Sequence, residues 1–182
     1  MSLAHVLLTS LLEQPSTGFE LARRFDHSMG YFWQASHQQI YRELSLMLKK
    51  SWISIHPESA SSRSKTYQVE QQGRIELTQW LSQHSSPAQV REELMVRLRA
   101  EAQLGSNAIF PELKRHLAAH QKTLALYQNI FEKDFVTEND QDRTLFIHKM
   151  ILELGMRIEQ EWIDWLEAFI PALQQRSNVT EQ

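Results

Sequence analysis

Residues 31–53 read YFWQASHQQIYRELSLMLKKSWI, and this stretch contains an amphipathic helix with a defined start. Ser36 is followed three residues later by Gln39, which is the S-x-x-Q pattern of a capping box at a helix N-terminus. Apolar side chains then recur at helical spacing and predict one buried face, formed by Ile40, Leu44, Met47 and Leu48. We therefore predict a helix over residues 36–50 that is buried on one side.

The opposite side of this helix is polar and basic. It carries Gln38, Gln39, Arg42, Leu46, Lys49 and Lys50. A polar helix face is usually a solvated surface, but the elements around this one favour a second interpretation. Two short helices are predicted before it, over residues 2–13 and 18–27, and a turn over residues 15–18 separates them.

Two short runs with period-two alternation follow the helix. Ile53 and Ile55 alternate with polar residues, and Tyr67 and Val69 do the same, so each run predicts a strand. The loop between the strands is polar, and residues 56–66 form the predicted wing. Because two strands alone are only marginally stable, we expect the hairpin to pack on the preceding helices.

Three helices followed by a hairpin are typical of a winged helix-turn-helix. The recognition helix of such proteins enters the DNA major groove, so this order favours DNA binding. The predicted DNA-binding residues lie on the third helix and the wing: Ser36, His37, Gln38, Gln39, Arg42, Lys49, Lys50, Arg63 and Lys65.

The chemistry of these side chains suggests different roles. Gln38 is the best candidate for base recognition, because glutamine pairs bidentately with adenine. Gln39 is a weaker candidate, since the capping box uses it. Arg42 can recognise guanine or bind phosphate, and the remaining cations are expected to bind phosphates, which position a protein without specifying sequence. Arg23 and Arg24 of the second helix are also expected to touch the DNA backbone.

The net charge of −3 does not by itself suggest a nucleic-acid partner. Residues 1–85 carry 8 Lys and Arg against 7 Asp and Glu, a balance of +1, and residues 86–182 carry 11 against 15, a balance of −4. Phosphate contacts need positive charge at the point of contact. The DNA-binding hypothesis therefore depends on a local basic patch.

Composition and motifs point away from catalysis. The chain has no Cys, which excludes disulfides, thiolate nucleophiles and Cys-based zinc sites. His116 and His120 have the spacing of a zinc motif, but HLAAH lacks the glutamate of HExxH, so both are expected to be structural. Glycine-rich phosphate loops and the GxSxG motif are also missing from the sequence. We expect no enzymatic activity, no metal and no cofactor.

The apolar stretch MSLAHVLLTSLL at the start has no basic segment before it and is too short to span a bilayer. It is interpreted as a buried first helix. Since no other run is long and apolar enough to cross a membrane, a cytoplasmic protein is expected.

The second half of the chain predicts helices only. A fourth helix is expected to open at Gly73, and residues 84–87 resemble a boundary between domains. Pro after Ser suits a helix start, so the next helix is predicted over residues 87–103. We therefore expect a DNA-binding domain over 1–85 and a helical dimerisation domain over 86–182.

Two long helices are predicted at the end of the chain, one beginning near Phe110 and one over residues 140–174. Their apolar residues repeat at heptad spacing, with one stutter in the second helix. Pro171 is expected to kink or end that helix. We expect the two helices to pack on each other and on the same pair from a second copy, as an antiparallel coiled-coil-like dimer. The predicted interface residues are Leu113, Leu117, His120, Leu124, Ile151, Leu154, Ile158, Trp162, Trp165 and Phe169.

An aromatic cluster leaves a second function open. It consists of Tyr31, Phe32, Trp33, Tyr41 and Trp52, which could line a small-molecule pocket or pack in the core, with core packing favoured. A ligand-gated repressor responding to a small aromatic molecule is therefore one alternative. A winged-helix protein-interaction module without DNA binding is another.

The sequence resembles the PadR family of transcriptional regulators, and most of all its virulence-activator-type members. The resemblance covers residues 3–74, through the stretches GYFWQASHQQIYREL and KTYQVEQQGR. It rests on Gly18, Phe19, Glu20, Leu21, Phe25, Gly30, Tyr31, Phe32, Trp33, Ser36, Gln39, Tyr41, Leu44, Ile53, Lys65, Tyr67 and Gly73. Many relatives have Pro in place of Arg42 and Gly in place of Ser51.

This resemblance implies a mainly α protein with a small β-hairpin and a homodimer with intertwined C-terminal helices. It also implies transcriptional control through double-stranded DNA with a near-palindromic operator, by repression or activation. A LysR-type co-activator is a further partner that the resemblance to virulence-type members implies.

Overall fold

The computed structural model describes residues 2–27, 35–60, 64–87, 92–135 and 142–179. The chain divides into two compact units, unit 1 over Met1–Ala88 and unit 2 over Gln89–Gln182. Each unit has a hydrophobic core of its own.

The described part of unit 1 contains four α-helices and three β-strands. Their order is α1 Leu3–Glu13, β1 Ser16–Thr17, α2 Gly18–His27, α3 His37–Lys49, β2 Ile53–Ile55, a 3-10 helix Pro57–Ser59, β3 Thr66–Val69 and α4 Gln71–Leu81. This order confirms the predicted winged-helix fold. Gly73 was expected to open α4 but lies inside it, because α4 begins at Gln71. A Cβ atom at Gly73 would collide with the carbonyl oxygen of Trp52, so glycine permits the close approach of the two segments.

The sheet contains one strand more than the predicted hairpin. Its antiparallel order is β1-β3-β2, in which Ser16 pairs with Tyr67 and Ile55 pairs with Tyr67 from the other side. The stretch predicted as a turn therefore pairs with the wing. β3 becomes the central strand, which ties the wing to the segment between α1 and α2.

The predicted apolar face of α3 is buried in the core of unit 1. Ile40, Leu44 and Met47 are each no more than 1% exposed and pack among α1, α2 and β2. Burial of such a side chain contributes roughly 1.5–3 kcal/mol. Truncation of Leu44 to Ala would cost about 2–5 kcal/mol, because a cavity would remain behind α3.

A left-handed residue ends α3. The Trp52 amide donates to the Met47 carbonyl at 3.0 Å, and the Ser51 amide donates to the Leu48 carbonyl at 3.0 Å, which is the Schellman pattern. Ser51 has φ 55°, a conformation that favours glycine. Half-buried Trp52 packs against the same core as Met47, so the motif turns the chain directly into β2.

Unit 2 is built from α5 Glu93–Leu104, α6 Phe110–Phe135 and α7 Arg143–Val179 within its described residues. A helix was predicted over residues 87–103, of which residues 88–91 lie outside the described ones. In the described part α5 begins at Glu93, where the Glu92 carboxylate accepts a hydrogen bond from the Leu94 amide. α7 extends past the predicted end at residue 174 and continues through Pro171 to Val179.

α6 and α7 pack against each other in antiparallel directions. His120 of α6 contacts Glu159 of α7, and Phe131, later in α6, meets Lys149, earlier in α7. The core of unit 2 consists of Leu94, Ile109, Leu113, Leu166 and Ile170. The two long helices therefore bury part of their apolar surface on each other and on α5.

Candidate nucleic-acid interface

The start of α3 is closed by the capping box that the sequence predicts. The Gln39 amide donates to Ser36 Oγ at 3.3 Å, while the Ser36 amide donates to Gln39 Oε1 at 2.8 Å. Ser36 Oγ also donates to Gln39 Oε1 at 3.1 Å. Both predicted DNA-binding side chains are thus engaged in holding the helix start.

The exposed face of α3 presents polar side chains that make no contacts with other polar groups in the described part of the chain. Gln38, Arg42 and Lys49 are exposed, and within the described ranges none of their side chains has a hydrogen-bond or ion-pair partner. His37 lies exposed in the first turn of the same helix. The side chain of Leu46, 39% exposed, shares the surface. Because α3 is packed from behind, these groups project from a fixed helix.

Two other predicted cations are already engaged within unit 1. Lys50 Nζ lies 4.2 Å from the centroid of the Trp52 ring, a cation–π contact that holds it at the end of α3. Arg24, which was expected to touch the DNA backbone, makes several contacts within unit 1. Its guanidinium donates to Ser16 Oγ at 2.7 Å and to the carbonyl oxygen of Ser10 at 3.0 Å, so it ties α2 to α1 and β1.

The wing is closed at its base by backbone hydrogen bonds. The His56 amide donates to the Thr66 carbonyl at 2.8 Å, and the Thr66 amide donates to Ser59 Oγ at 2.9 Å. Lys65 is exposed directly before β3. Arg63, the other basic residue predicted on the wing, lies outside the described residues.

Tyr41 is a residue of this surface that the sequence interpretation did not assign to DNA. It lies on the flank of α3, is 46% exposed, and its ring covers Gly18 at the start of α2. Helical spacing alone places Tyr41 beside the apolar face. The signal that points to it is tertiary, namely the contact with a glycine from another helix.

The predicted dimer interface divides into two groups by burial. Leu113 and Leu124 are 0% and 9% exposed inside unit 2, and Leu117, His120, Trp162 and Phe169 are half-buried between its helices. An exposed apolar stripe remains on α7, where Ile151, Leu154, Ile158 and Trp165 are 44%, 60%, 50% and 37% exposed. Leu113 and Leu124 are therefore packed mainly within their own unit, and their place in a dimer interface stays a prediction.

Both histidines of the HLAAH stretch engage carboxylates. His116 Nε2 lies 3.3 Å from Glu112 Oε1, and His120 Nδ1 lies 2.6 Å from Glu159 Oε2. These contacts give both histidines partners within unit 2.

An open groove of about 390 Å³ lies along α7 in unit 2. It is lined by Met95, Arg157, Ile158, Glu161, Trp162 and Trp165. Of the predicted aromatic cluster, Tyr31, Phe32 and Trp33 lie outside the described residues, and Tyr41 and Trp52 belong to unit 1. In the described parts of the chain, no helix has the length and apolar character needed to cross a membrane.

Comparison with known proteins adds the decisive observation. Residues 7–79 match the transcriptional regulator PadR-like family, and residues 90–174 match the virulence activator alpha C-terminal family. A probable transcriptional regulator of Mycobacterium tuberculosis, Rv1176c, is 34% identical over 97% of this chain and 100% of its own. The chain belongs to the PadR-like family of transcriptional regulators. This PadR-like protein is therefore a DNA-binding transcriptional regulator, as the sequence predicted.

Two solved structures share the fold of this PadR-like protein. The Vibrio cholerae virulence activator AphA is 29% identical, with a TM-score of 0.78 over 96% of this chain and 99% of AphA. Bacillus subtilis PadR in complex with operator DNA is 23% identical, with a TM-score of 0.80 over 93% of this chain and 97% of PadR. Both likenesses extend over nearly the full chain, so the fold match includes both units.

Proposed function

We propose that this chain acts as a homodimer that recognises a near-palindromic operator by placing α3 in the major groove. In this proposal residues 1–85 bind DNA and residues 86–182 dimerise. The exposed face of α3 carries the proposal, since Gln38, Arg42 and Lys49 have no partner within the described part of the protein. Exposed donors on a helix fixed from behind suit recognition of base edges and phosphates.

The side chains divide into base-reading and phosphate-binding groups. Gln38 is assigned to adenine, and Arg42 to guanine or a phosphate. Lys49 of α3 and Lys65 of the wing are assigned to phosphates on either side of the groove. His37, Lys50 and Arg63 add contacts at the edges, whereas Ser36 and Gln39 serve the helix cap.

The experiment begins by selecting an operator from a random duplex library with the wild-type protein. Arg42→Ala should weaken binding to the selected operator and relax its preference at one position, by about 1–3 kcal/mol if Arg42 contacts guanine. Lys49→Ala should weaken operator and random duplex alike and reduce the salt dependence by about one phosphate contact. Arg99→Ala changes an exposed arginine of unit 2 and is the matched control. If Arg42→Ala binds the operator as tightly as wild type, the proposed contact between Arg42 and DNA is wrong.

Salt dependence separates this function from a protein-interaction module. Binding that neutralises phosphates weakens steeply as the salt concentration rises. A complex held by apolar surfaces lacks that dependence. Wild-type protein that selects no duplex, or binds duplex without salt dependence, would support the interaction module instead.

Dimerisation is assigned to the exposed apolar stripe of α7. Exposed Ile151, Leu154, Ile158 and Trp165 follow heptad spacing along one side of the helix, and a contiguous apolar surface of this kind marks an interface. Ile158 and Trp165 also line the groove of unit 2, so the proposal assigns the groove to the partner chain rather than to a small-molecule effector.

A charged side chain introduced at the centre of the α7 stripe tests the assignment of this stripe to the dimer interface. Leu154→Glu should give a folded monomer with reduced operator affinity, because the joint binding of two half-sites is lost. Leu126 is an exposed leucine of α6 outside the stripe, so Leu126→Glu should remain a dimer. Sedimentation at micromolar concentration distinguishes the two, and a dimeric Leu154→Glu protein would move the interface elsewhere.

Two further parts of the proposal rest on the resemblance to virulence-type members. A LysR-type co-activator would act at the same promoter, and the cytoplasm is the expected location because chromosomal DNA is the target. Footprints of a promoter that contains the selected operator, with and without a LysR-type protein from the same genome, test the co-activator. An identical footprint and equal transcription in both cases would argue against it.

A further inference from the structure

Tyr41 and Gly18 form a contact between the recognition helix and the helix before it. The ring of Tyr41 lies directly over Gly18, and a Cβ atom at position 18 would collide with Cε1 of that ring. Gly18 itself is buried although it opens α2. A side chain at position 18 would therefore displace the Tyr41 ring from its place over the start of α2.

The wing strand reaches the same place from the other side. Burial and the neighbouring Tyr41 both raise the pKa of Tyr67 above its ordinary value, so the two phenols are close. Tyr67 lies on β3 and pairs with Ser16 of β1, two residues before Gly18. The Tyr41 ring consequently lies where α3, the start of α2 and the wing strand meet.

The hydroxyl group of Tyr41 is available at this junction. The side chain is 46% exposed, and its hydroxyl has no hydrogen-bond partner in the described ranges of the chain. By contrast, the side chains of Gln39 and Arg24 form hydrogen bonds within unit 1. Tyrosine hydroxyls are ordinary donors to DNA phosphate oxygens.

We propose that Tyr41 contacts the DNA backbone: its hydroxyl donates to a phosphate oxygen between the groove occupied by α3 and the strand followed by the wing. The ring, held over Gly18, fixes the hydroxyl relative to all three elements. This inference rests on the proposed function, because it requires α3 to lie in the major groove. It adds a neutral contact to a surface whose other backbone contacts are cations.

The test compares wild type with Tyr41→Phe on two probes, the duplex selected by the wild-type protein and a random-sequence duplex of equal length. The affinity for both should fall by the same factor, roughly threefold to tenfold, because a phosphate contact carries no sequence information. The slope of affinity against salt should not change, since a neutral donor releases no counterion. The melting temperature should match wild type, because the ring still covers Gly18.

Four outcomes would overturn this inference or separate it from the proposed function. Tyr41→Phe that binds both duplexes as tightly as wild type removes the phosphate contact, and loss on the selected duplex alone makes Tyr41 a base reader instead. If Arg42→Ala loses operator binding while Tyr41→Phe does not, the proposed function stands and only this inference fails. If the wild-type protein selects no duplex from the library and does not bind the random-sequence duplex, both the proposed function and this inference are wrong.

A double-mutant cycle tests the position of the ring independently of DNA. Gly18→Ala should lower the melting temperature of the protein with Tyr41 and should do so less in the Tyr41→Ala background, where the obstructing ring is gone. The same double variant should still bind both duplexes more weakly than wild type. An equal effect of Gly18→Ala in the two backgrounds would show that the ring does not occupy this space.

Discussion

His120 of α6 and Glu159 of α7 meet at 2.6 Å between Nδ1 and Oε2, and both side chains are mostly buried, at 21% and 17% exposure. The imidazole of His120 also stacks on Trp162, with 5.1 Å between ring centroids and 3° between planes. A position that the heptad pattern assigned to a partner chain is therefore satisfied inside one protomer. The pair joins the two long helices of unit 2 through a polar contact within an apolar seam.

The first prediction concerns this pair. Glu159→Gln should lower the free energy of unfolding of unit 2 by about 1 kcal/mol, because a charge-assisted hydrogen bond becomes a neutral one. Urea unfolding followed by tryptophan fluorescence measures it, since Trp162 stacks on His120. Glu132→Gln, which changes an exposed acid of α6, is the control and should unfold like wild type. Coincident curves for Glu159→Gln and wild type would show that the pair contributes no stability.

The second prediction contrasts neighbouring arginines of α2. Arg24→Ala should destabilise unit 1 by about 2–4 kcal/mol, because it removes several hydrogen bonds, including those that the buried hydroxyl oxygens of Ser10 and Ser16 accept from Arg24. Arg23 is exposed, so Arg23→Ala should stay within about 0.5 kcal/mol of wild type. Chemical denaturation measures both variants. Equal stabilities would mean that the network around Arg24 is not formed in solution.

The third prediction concerns two left-handed residues that follow helices. Ser51→Gly should stabilise the protein by about 0.5–1 kcal/mol, because glycine adopts its φ of 55° without strain. Gly105 has φ 61° with open space around it, so Gly105→Ala should destabilise by a similar amount through the backbone alone. Thermal unfolding of both variants gives the comparison. A Ser51→Gly protein that melts below wild type would show that the Ser51 side chain makes a compensating contact.

The fourth prediction is a pH dependence. A bidentate contact from Arg115, at 2.7 and 2.9 Å, lowers the pKa of Glu112 from its usual 4.5 to about 2. Because the folded pKa lies below the unfolded one, the contribution to stability is complete above about pH 4.5 and is lost as the pH falls towards 2. The stability difference between wild type and Glu112→Gln should therefore be constant near neutrality and shrink below pH 4.5.

Acid titration of unfolding free energies for the two proteins measures this difference. Glu132→Gln, an exposed acid later on α6, is the control and should follow the wild-type pH profile more closely. A Glu112→Gln protein whose difference from wild type does not change between pH 5 and pH 2.5 would contradict the lowered pKa.

Local sequence patterns predicted α3 well because its capping and its apolar face depend on residues that are close together in the sequence. The capping box of Ser36 and Gln39 needs residues only three positions apart, and the apolar face depends on a short period. The family resemblance was carried by motifs of the same stretch. The two-residue strand β1 escaped prediction because two residues show no periodicity, and its pairing with Tyr67 is non-local.

Tertiary structure alone decided which side chains remain available. Arg24 and Arg42 are the same residue type on consecutive helices, yet Arg24 is enclosed by hydrogen bonds from α1 and β1 whereas Arg42 is exposed. Heptad spacing likewise placed Leu113 and Leu154 in equivalent seams, but Leu113 is covered by its own chain and Leu154 is 60% exposed. A sequence determines which residues share a face, because that follows from helical geometry. What covers the face depends on contacts between distant segments, and only folding of the whole chain decides them.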